Sequence, residues 1–166
     1  FTGTSPQLES NFNAPLPDEV IGANALILWH GPLITAPIIA KMQHCRAIIR
    51  NGVGFDTVDI TAAAQAGIPV CNVPDYGTEE VADHALALTL ALYRQLFLLD
   101  AEAKQLGWKI NVAAKMRRLN TQTFGIIGLG RIGTAAALRA KAFGFRVVFF
   151  DRYVPAGTHK ALGIER

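Results

Sequence analysis

Phe124-Gly125-Ile126-Ile127-Gly128-Leu129-Gly130-Arg131-Ile132-Gly133 is the stretch on which the reading of this chain turns. Phe124–Ile127 is short and apolar, as a buried strand requires, and Gly128 to Gly133 has the spacing G-x-G-x-x-G. Ile132–Phe143 is rich in alanine and predicts a helix. Arg146–Phe150 predicts a second strand, with Asp151 at its end. Strand, glycine turn, helix, strand and an acid about twenty residues past the turn form the order that a dinucleotide site requires.

Each residue type has a task. Gly128 permits the tight turn, Gly130 lets backbone come close to a pyrophosphate, and Gly133 lets helix and strand pack. Leu129, Arg131 and Ile132 fill the turn and open the helix, whose free amides and dipole attract the anion. Asp151 can accept hydrogen bonds from ribose hydroxyls, and its charge repels a 2′-phosphate, so NAD is preferred over NADP. Arg152, next in the chain, softens that choice. The competing structural reading is an ordinary glycine turn in an apolar βαβ unit, with Asp151 a solvated strand end. The flanking strand, helix and acid weigh against it.

Upstream the same rhythm recurs. Ala25–Trp29, Ala47–Arg50 and Ile68–Asn72 are apolar runs about twenty residues apart, the length of a strand plus a helix and its turns. That spacing predicts a parallel α/β sheet. A loop leads into a helix around Asp18–Gly22, Thr35 is expected to cap a helix through Met42, and Asp59 one through Ala66, stopped by Gly67. Pro74–Gly77 is a turn-rich break, expected to separate a lobe of residues 1–77 from one of residues 78–166. Thr78–Gln105 predicts one long helix of roughly 40 Å, capped by Thr78 and ended by Gly107. Its middle, Ala85–Leu92, is apolar nearly all round and must be covered on more than one side, by another lobe or another subunit. Residues 108–122 are polar and basic and read as a connector.

The 166 residues are 51% hydrophobic, enough for a core, and the formal charge of +3 is too small to argue for nucleic acid. The apolar stretch Val81–Leu99 is interrupted by Asp83, His84, Arg94 and Gln95, which a membrane span tolerates poorly. Cys45 and Cys71 lack metal-ligand spacing, and reduced thiols in the cytoplasm are expected. The chain opens on Phe1 rather than Met, as expected of one that has lost its natural start.

Five ordered blocks carry a resemblance to a known family: Arg50-Asn51-Gly52-Val53-Gly54-Phe55-Asp56-Thr57-Val58-Asp59, Gly67-Ile68-Pro69-Val70-Cys71-Asn72-Val73-Pro74, Glu79-Glu80-Val81-Ala82-Asp83, Gly125–Gly133 and Arg139-Ala140-Lys141-Ala142-Phe143-Gly144-Phe145. Asp151 and Ala161-Leu162-Gly163 extend them. The sequence resembles the D-isomer-specific 2-hydroxyacid dehydrogenases, within them the branch that includes the C-terminal-binding proteins. The resemblance implies a flavodoxin-like substrate lobe, partial here, and the first half of a Rossmann NAD-binding lobe. It implies a cleft site, a small 2-hydroxy or 2-oxo acid as substrate, NAD as cofactor, and a homodimer formed through the helix over 78–105. Neither a membrane nor a nucleic acid is implied as partner.

On the residues alone, Asn51–Gly54 is a plain turn before it is a nest of amides for a carboxylate. The resemblance reverses that order. It makes Asn51, Gly52, Val53 and Gly54 the substrate-carboxylate loop, with Val53 and Val81 also touching the cofactor. Val81 otherwise reads as helix core.

Reducing a 2-oxo acid needs a cation to polarise it and a tuned proton donor. The family supplies these as an Arg and a paired Glu and His, all in blocks beyond Arg166, so the chain is expected to be a fragment with no catalytic residue of its own. His30, His44, His84 and His159 have no carboxylate at a convincing dyad spacing. His84 reads as a packing residue, His44 as a helix end, His159 as part of a polar turn, and His30, after a strand, as the one nearest a ligand position. The expected activity of the intact protein is NAD-dependent oxidation or reduction at a D-2-hydroxyacid. The alternative is an NAD(H)-sensing corepressor scaffold.

Overall fold

The computed structural model describes residues 16–105 and 116–166, divided between two units, Phe1–Tyr76 and Gly77–Arg166. Gly107, Pro6, Pro15, Lys109 and Lys115 lie outside the described residues.

In the first unit the order is α1 (Asp18–Ile21), β1 (Leu26–Leu28), α2 (Ala36–Ile39), β2 (Ile48–Arg50), α3 (Ile60–Gln65) and β3 (Val70–Asn72). The strands form a parallel sheet ordered β1-β2-β3, in which Leu28, Arg50 and Asn72 stand side by side. Alternation decides what is buried: Leu26 and Leu28 enter the core with Ile34, Ile39, Ile48, Val58, Ala63 and Ile68, while Ile27 between them is exposed. Asp59 caps α3, its Oδ1 accepting the Ala62 N–H at 2.9 Å, and Gly67 ends that stretch at φ +69°. α2 is shorter than the expected helix through Met42. Thr35 makes no side-chain cap, and past Ile39 the amides of Lys41 and Met42 reach back only three residues, forming turns in place of α-helix.

The second unit contains α4 (Thr78–Tyr93), α5 (Leu96–Lys104), a 3₁₀ turn (Leu119–Thr121), β4 (Thr123–Ile127), α6 (Arg131–Ala142), β5 (Arg146–Phe150) and α7 (Thr158–Leu162). The single helix expected over 78–105 is therefore two. Gln95, at φ +51°, reverses the backbone between them. Thr78 opens α4 as its first residue, with Gly77 in the cap position. His159 lies inside α7, not in a turn ahead of it.

β4 and β5 pair in parallel from Thr123–Arg146 to Ile127–Phe150, and Glu165 bridges to Val148 on the other side of β5. Ala135, Ala136, Ala137 and Ala140 of α6 are buried with Ala82 and Leu86 of α4, and with Ile126, Val147 and Phe149 of the sheet. Small side chains let these layers approach closely. Arg139 of α6 ties the two helices by ion pairs to Glu79 and Asp83 of α4.

Candidate functional site

β4 delivers the chain to Gly128, whose φ of +90° turns it toward α6 while its N–H donates to the Phe150 carbonyl at 2.9 Å. A side chain is disfavoured there. Gly133 is required for a different reason: a Cβ on it would sit 2.1 Å from the Gly128 carbonyl oxygen. The first turn of α6 is seated directly on the glycine turn. Around Gly130, by contrast, a Cβ would meet no atom of the described residues within 4 Å, so among them the space above it is open. The N–H groups of Gly130 through Gly133 have no acceptor among the described residues, the condition under which a helix start holds an anion.

Asp151 completes the arrangement. One carboxylate oxygen accepts the Leu129 N–H at 2.7 Å, and the other accepts those of Tyr153 at 2.7 Å and Val154 at 3.0 Å. The amides of Tyr153 and Leu129 hold its carboxyl below the ordinary aspartate range, so it is ionised at neutral pH. A carboxylate offers about four acceptor positions, and with three used by backbone at least one is left for a ligand hydroxyl. Gly128–Gly133 and Asp151, all named from the sequence, are thus brought together. Val81 is half-exposed on α4.

In the first unit the loop Asn51–Gly54 is stitched to both neighbours at the carboxyl edge of the sheet. The Asn51 N–H donates to Leu28 O at 2.7 Å, the Val73 N–H to Gly52 O at 3.1 Å, and the Asn72 side-chain amide to Val53 O at 2.8 Å. The N–H groups of Val53 and Gly54 have no acceptor among the described residues. Sequence reasoning missed Arg50, which it read as a strand end. Its side chain folds under the loop, so close that a Cβ on Gly52 would collide with it. Arg50 is only 9% exposed, and its Nε and Nη1 have no hydrogen-bond partner among the described residues. A buried guanidinium without an acceptor is costly unless an anion completes it. The available signal was its register, a cation at an inward position of an otherwise apolar strand.

His30, His44 and His84 are exposed, and none of the four histidines has a hydrogen-bonded carboxylate among the described residues. A groove of about 500 Å³ between α3 and β3, lined by Phe55, Ile60, Ile68 and Cys71, contains none of the expected site residues.

A glycine turn seated under its helix and locked to an acid at the end of the next strand defines a dinucleotide-binding α/β unit, preceded here by a second parallel α/β unit. The family model described as D-isomer specific 2-hydroxyacid dehydrogenase, catalytic domain, matches residues 6–163, and the chain belongs to that family. It is 34% identical over 150 residues to C-terminal-binding protein 1 of Caenorhabditis elegans, covering 87% of this chain and 21% of that protein. It is 35% identical over 148 residues to D-3-phosphoglycerate dehydrogenase of Methanocaldococcus jannaschii, covering 89% and 28%. The solved D-lactate dehydrogenase from Aquifex aeolicus, complexed with NAD and lactic acid, superposes with a TM-score of 0.80 at 31% identity, over 90% of this chain and 45% of that one. The chain thus spans less than half the length of these relatives.

Proposed function

We propose that the intact protein is an NAD-dependent oxidoreductase that interconverts a small D-2-hydroxyacid and its 2-oxo acid. The observation that carries this reading is the hydrogen bond from Leu129 to Asp151, which makes one rigid cradle of the glycine turn and the acid. In the proposal Gly128–Gly133 hold the pyrophosphate, Asp151 accepts from the adenosine ribose, and Val81 contacts the cofactor. When bound, the cofactor supplies or accepts the hydride. Asn51–Gly54 and the Arg50 guanidinium hold the substrate carboxylate, because two free amides beside a buried, unpartnered cation suit a carboxylate better than a neutral group. The polarising cation and proton donor are expected elsewhere in the intact protein. The proposal includes a homodimer joined through α4 and α5, and a cytoplasmic setting. Free thiols at Cys45 and Cys71 support that setting. Among the described residues no helix is long and apolar enough to cross a membrane. The likeness to a C-terminal-binding protein does not favour a corepressor role over the enzyme.

The test is NADH consumption by the full-length protein with glyoxylate, pyruvate and 4-methyl-2-oxopentanoate. Turnover of at least one is expected, with Arg50→Met raising its KM about tenfold or more. No turnover of any 2-oxo acid, in the presence of saturable NADH binding, would reject the enzyme.

A further inference from the structure

Asn51-Gly52 is the one place in the chain where glycine follows asparagine. Asparagine is thermolabile, and a neighbour without a side chain leaves its side-chain carbon open to attack by the next backbone nitrogen. Here packing imposes that neighbour. A Cβ on Gly52 would collide with Arg50 Nη1, and Arg50 is buried beneath it. The loop therefore carries its reactive pair directly over a guanidinium whose Nε and Nη1 have no hydrogen-bond partner among the described residues. The closed loop also restrains the pair. Gly52 is buried, and its N–H donates to Arg50 O at 2.8 Å in a γ-turn centred on the half-buried Asn51. While that turn is closed, the nitrogen that would attack has its proton engaged.

We propose that Asn51 is a self-modification site, whose product places a carboxylate of the protein's own on Arg50, where the substrate carboxylate belongs. The substrate half of this rests on the functional reading above; the conversion does not. When the loop opens, the Gly52 nitrogen loses its proton and attacks Asn51 Cγ, forming a C–N bond. The Cγ–Nδ2 bond breaks, and the side-chain nitrogen leaves as ammonia with that proton. Water then adds to one carbonyl of the cyclic imide and breaks its bond to the Gly52 nitrogen. Opening on the Cγ side gives aspartate, and opening on the main-chain side gives isoaspartate; either acid ionises to solvent. The new carboxylate stands beside a buried cation that lacks a partner, so the loop closes on an internal ion pair. A 2-oxo acid must then displace a tethered anion. A 2-oxo acid bound beforehand has the opposite effect, because it holds the loop closed and shields Asn51.

The test holds the full-length protein at mildly alkaline pH with NADH, with and without oxamate, an unreduced mimic of pyruvate. Peptide mapping by mass spectrometry locates the amide-to-acid conversion. Asn51 is expected to convert ahead of every other asparagine, about tenfold more slowly with oxamate at about ten times its Kd. The converted protein should keep saturable NADH binding and show a KM for the 2-oxo acid raised about tenfold or more. Asn51→Asp, which installs the carboxylate directly, should raise KM likewise and also raise the urea midpoint, because Arg50 gains its partner. A merely structural lesion would lower that midpoint. Survival of Asn51 while a peptide of residues 46–56 converts completely would overturn the modification site, and equal rates with and without oxamate would overturn the shielding. Conversion with an unchanged KM, or a lowered midpoint in Asn51→Asp, would overturn the pairing with Arg50. Absence of 2-oxo acid turnover by freshly prepared protein would instead defeat the functional reading, with conversion and midpoint still read by mass and denaturation.

Discussion

Gly130 and Gly133 stand three residues apart in one motif and are glycines for unlike reasons. A methyl on Gly133 runs into the Gly128 carbonyl oxygen, a backbone atom that cannot turn aside, whereas a methyl on Gly130 enters open space. Gly133→Ala is therefore expected to cost about 3 kcal/mol, the upper end for overpacking. Gly130→Ala is expected to cost under about 1 kcal/mol while still weakening NADH. Urea unfolding and NADH titration of both variants separate the two effects. Equal stability of the variants would contradict the packing seen here. Asp151 adds a pH dependence. Its folded pKa is depressed, chiefly by the Tyr153 and Leu129 amides, below an ordinary value of 3.8. A depressed carboxylate contributes stability that is complete above the ordinary range and lost as the pH falls through the folded value. As the pH falls below about 4 the unmodified protein should thus lose stability more steeply than Asp151→Asn. Parallel curves would show that these amides do not stabilise the charge. The motif residues were legible because each answers a local constraint; Arg50 was not, because its burial and missing partner depend on how the loop after β2 folds over it.

The strands and most helices followed from periodicity, since alternation and caps are local physics: Asp59 capping α3 and Arg146–Phe150 as β5 needed no knowledge of the rest of the chain. The break between α4 and α5 is the opposite case. Tyr93-Arg94-Gln95 contains neither glycine nor proline, and nothing in its composition announces a reversal. The constraint is tertiary: the Tyr93 ring packs edge-on against Phe145 at 5.6 Å, and Tyr93 is the last residue of α4, with Arg94 as its cap. The Gln95 amide then reaches back only to Leu92, and its backbone enters the left-handed region. A side chain there costs about 1–2 kcal/mol that glycine avoids. Gln95→Gly should accordingly stabilise the fold by about 0.5–1 kcal/mol. In a continuous helix the same substitution would destabilise by about 1 kcal/mol. The sign of the change in a chemical-denaturation midpoint decides between the two descriptions.

At the scale of the molecule, the parallel α/β sheets were legible from the spacing of apolar runs, because each is assembled from neighbours in sequence. What covers α4 and α5 was not. α5 buries none of its residues, and the exposed side chains gather on both sides of the Gln95 break: Leu88, Leu92 at 71%, Leu96, Phe97 at 69% and Leu98. An apolar patch of this kind on one helix pair is more than scattered surface residues explain, and it suits a self-complementary contact in which the same patch meets its copy. The break at Gln95 sets the angle between the two helices and hence the shape of the patch, so a dimer made here depends on a feature that a straight helix would lack. Leu92→Glu with Phe97→Glu should convert the full-length protein from twice its chain mass to a monomer in sedimentation equilibrium. Its far-ultraviolet circular dichroism should be unchanged, because neither side chain is buried within its own chain. A monomeric unmodified protein at micromolar concentration, or a double variant that remains dimeric, would move the interface elsewhere.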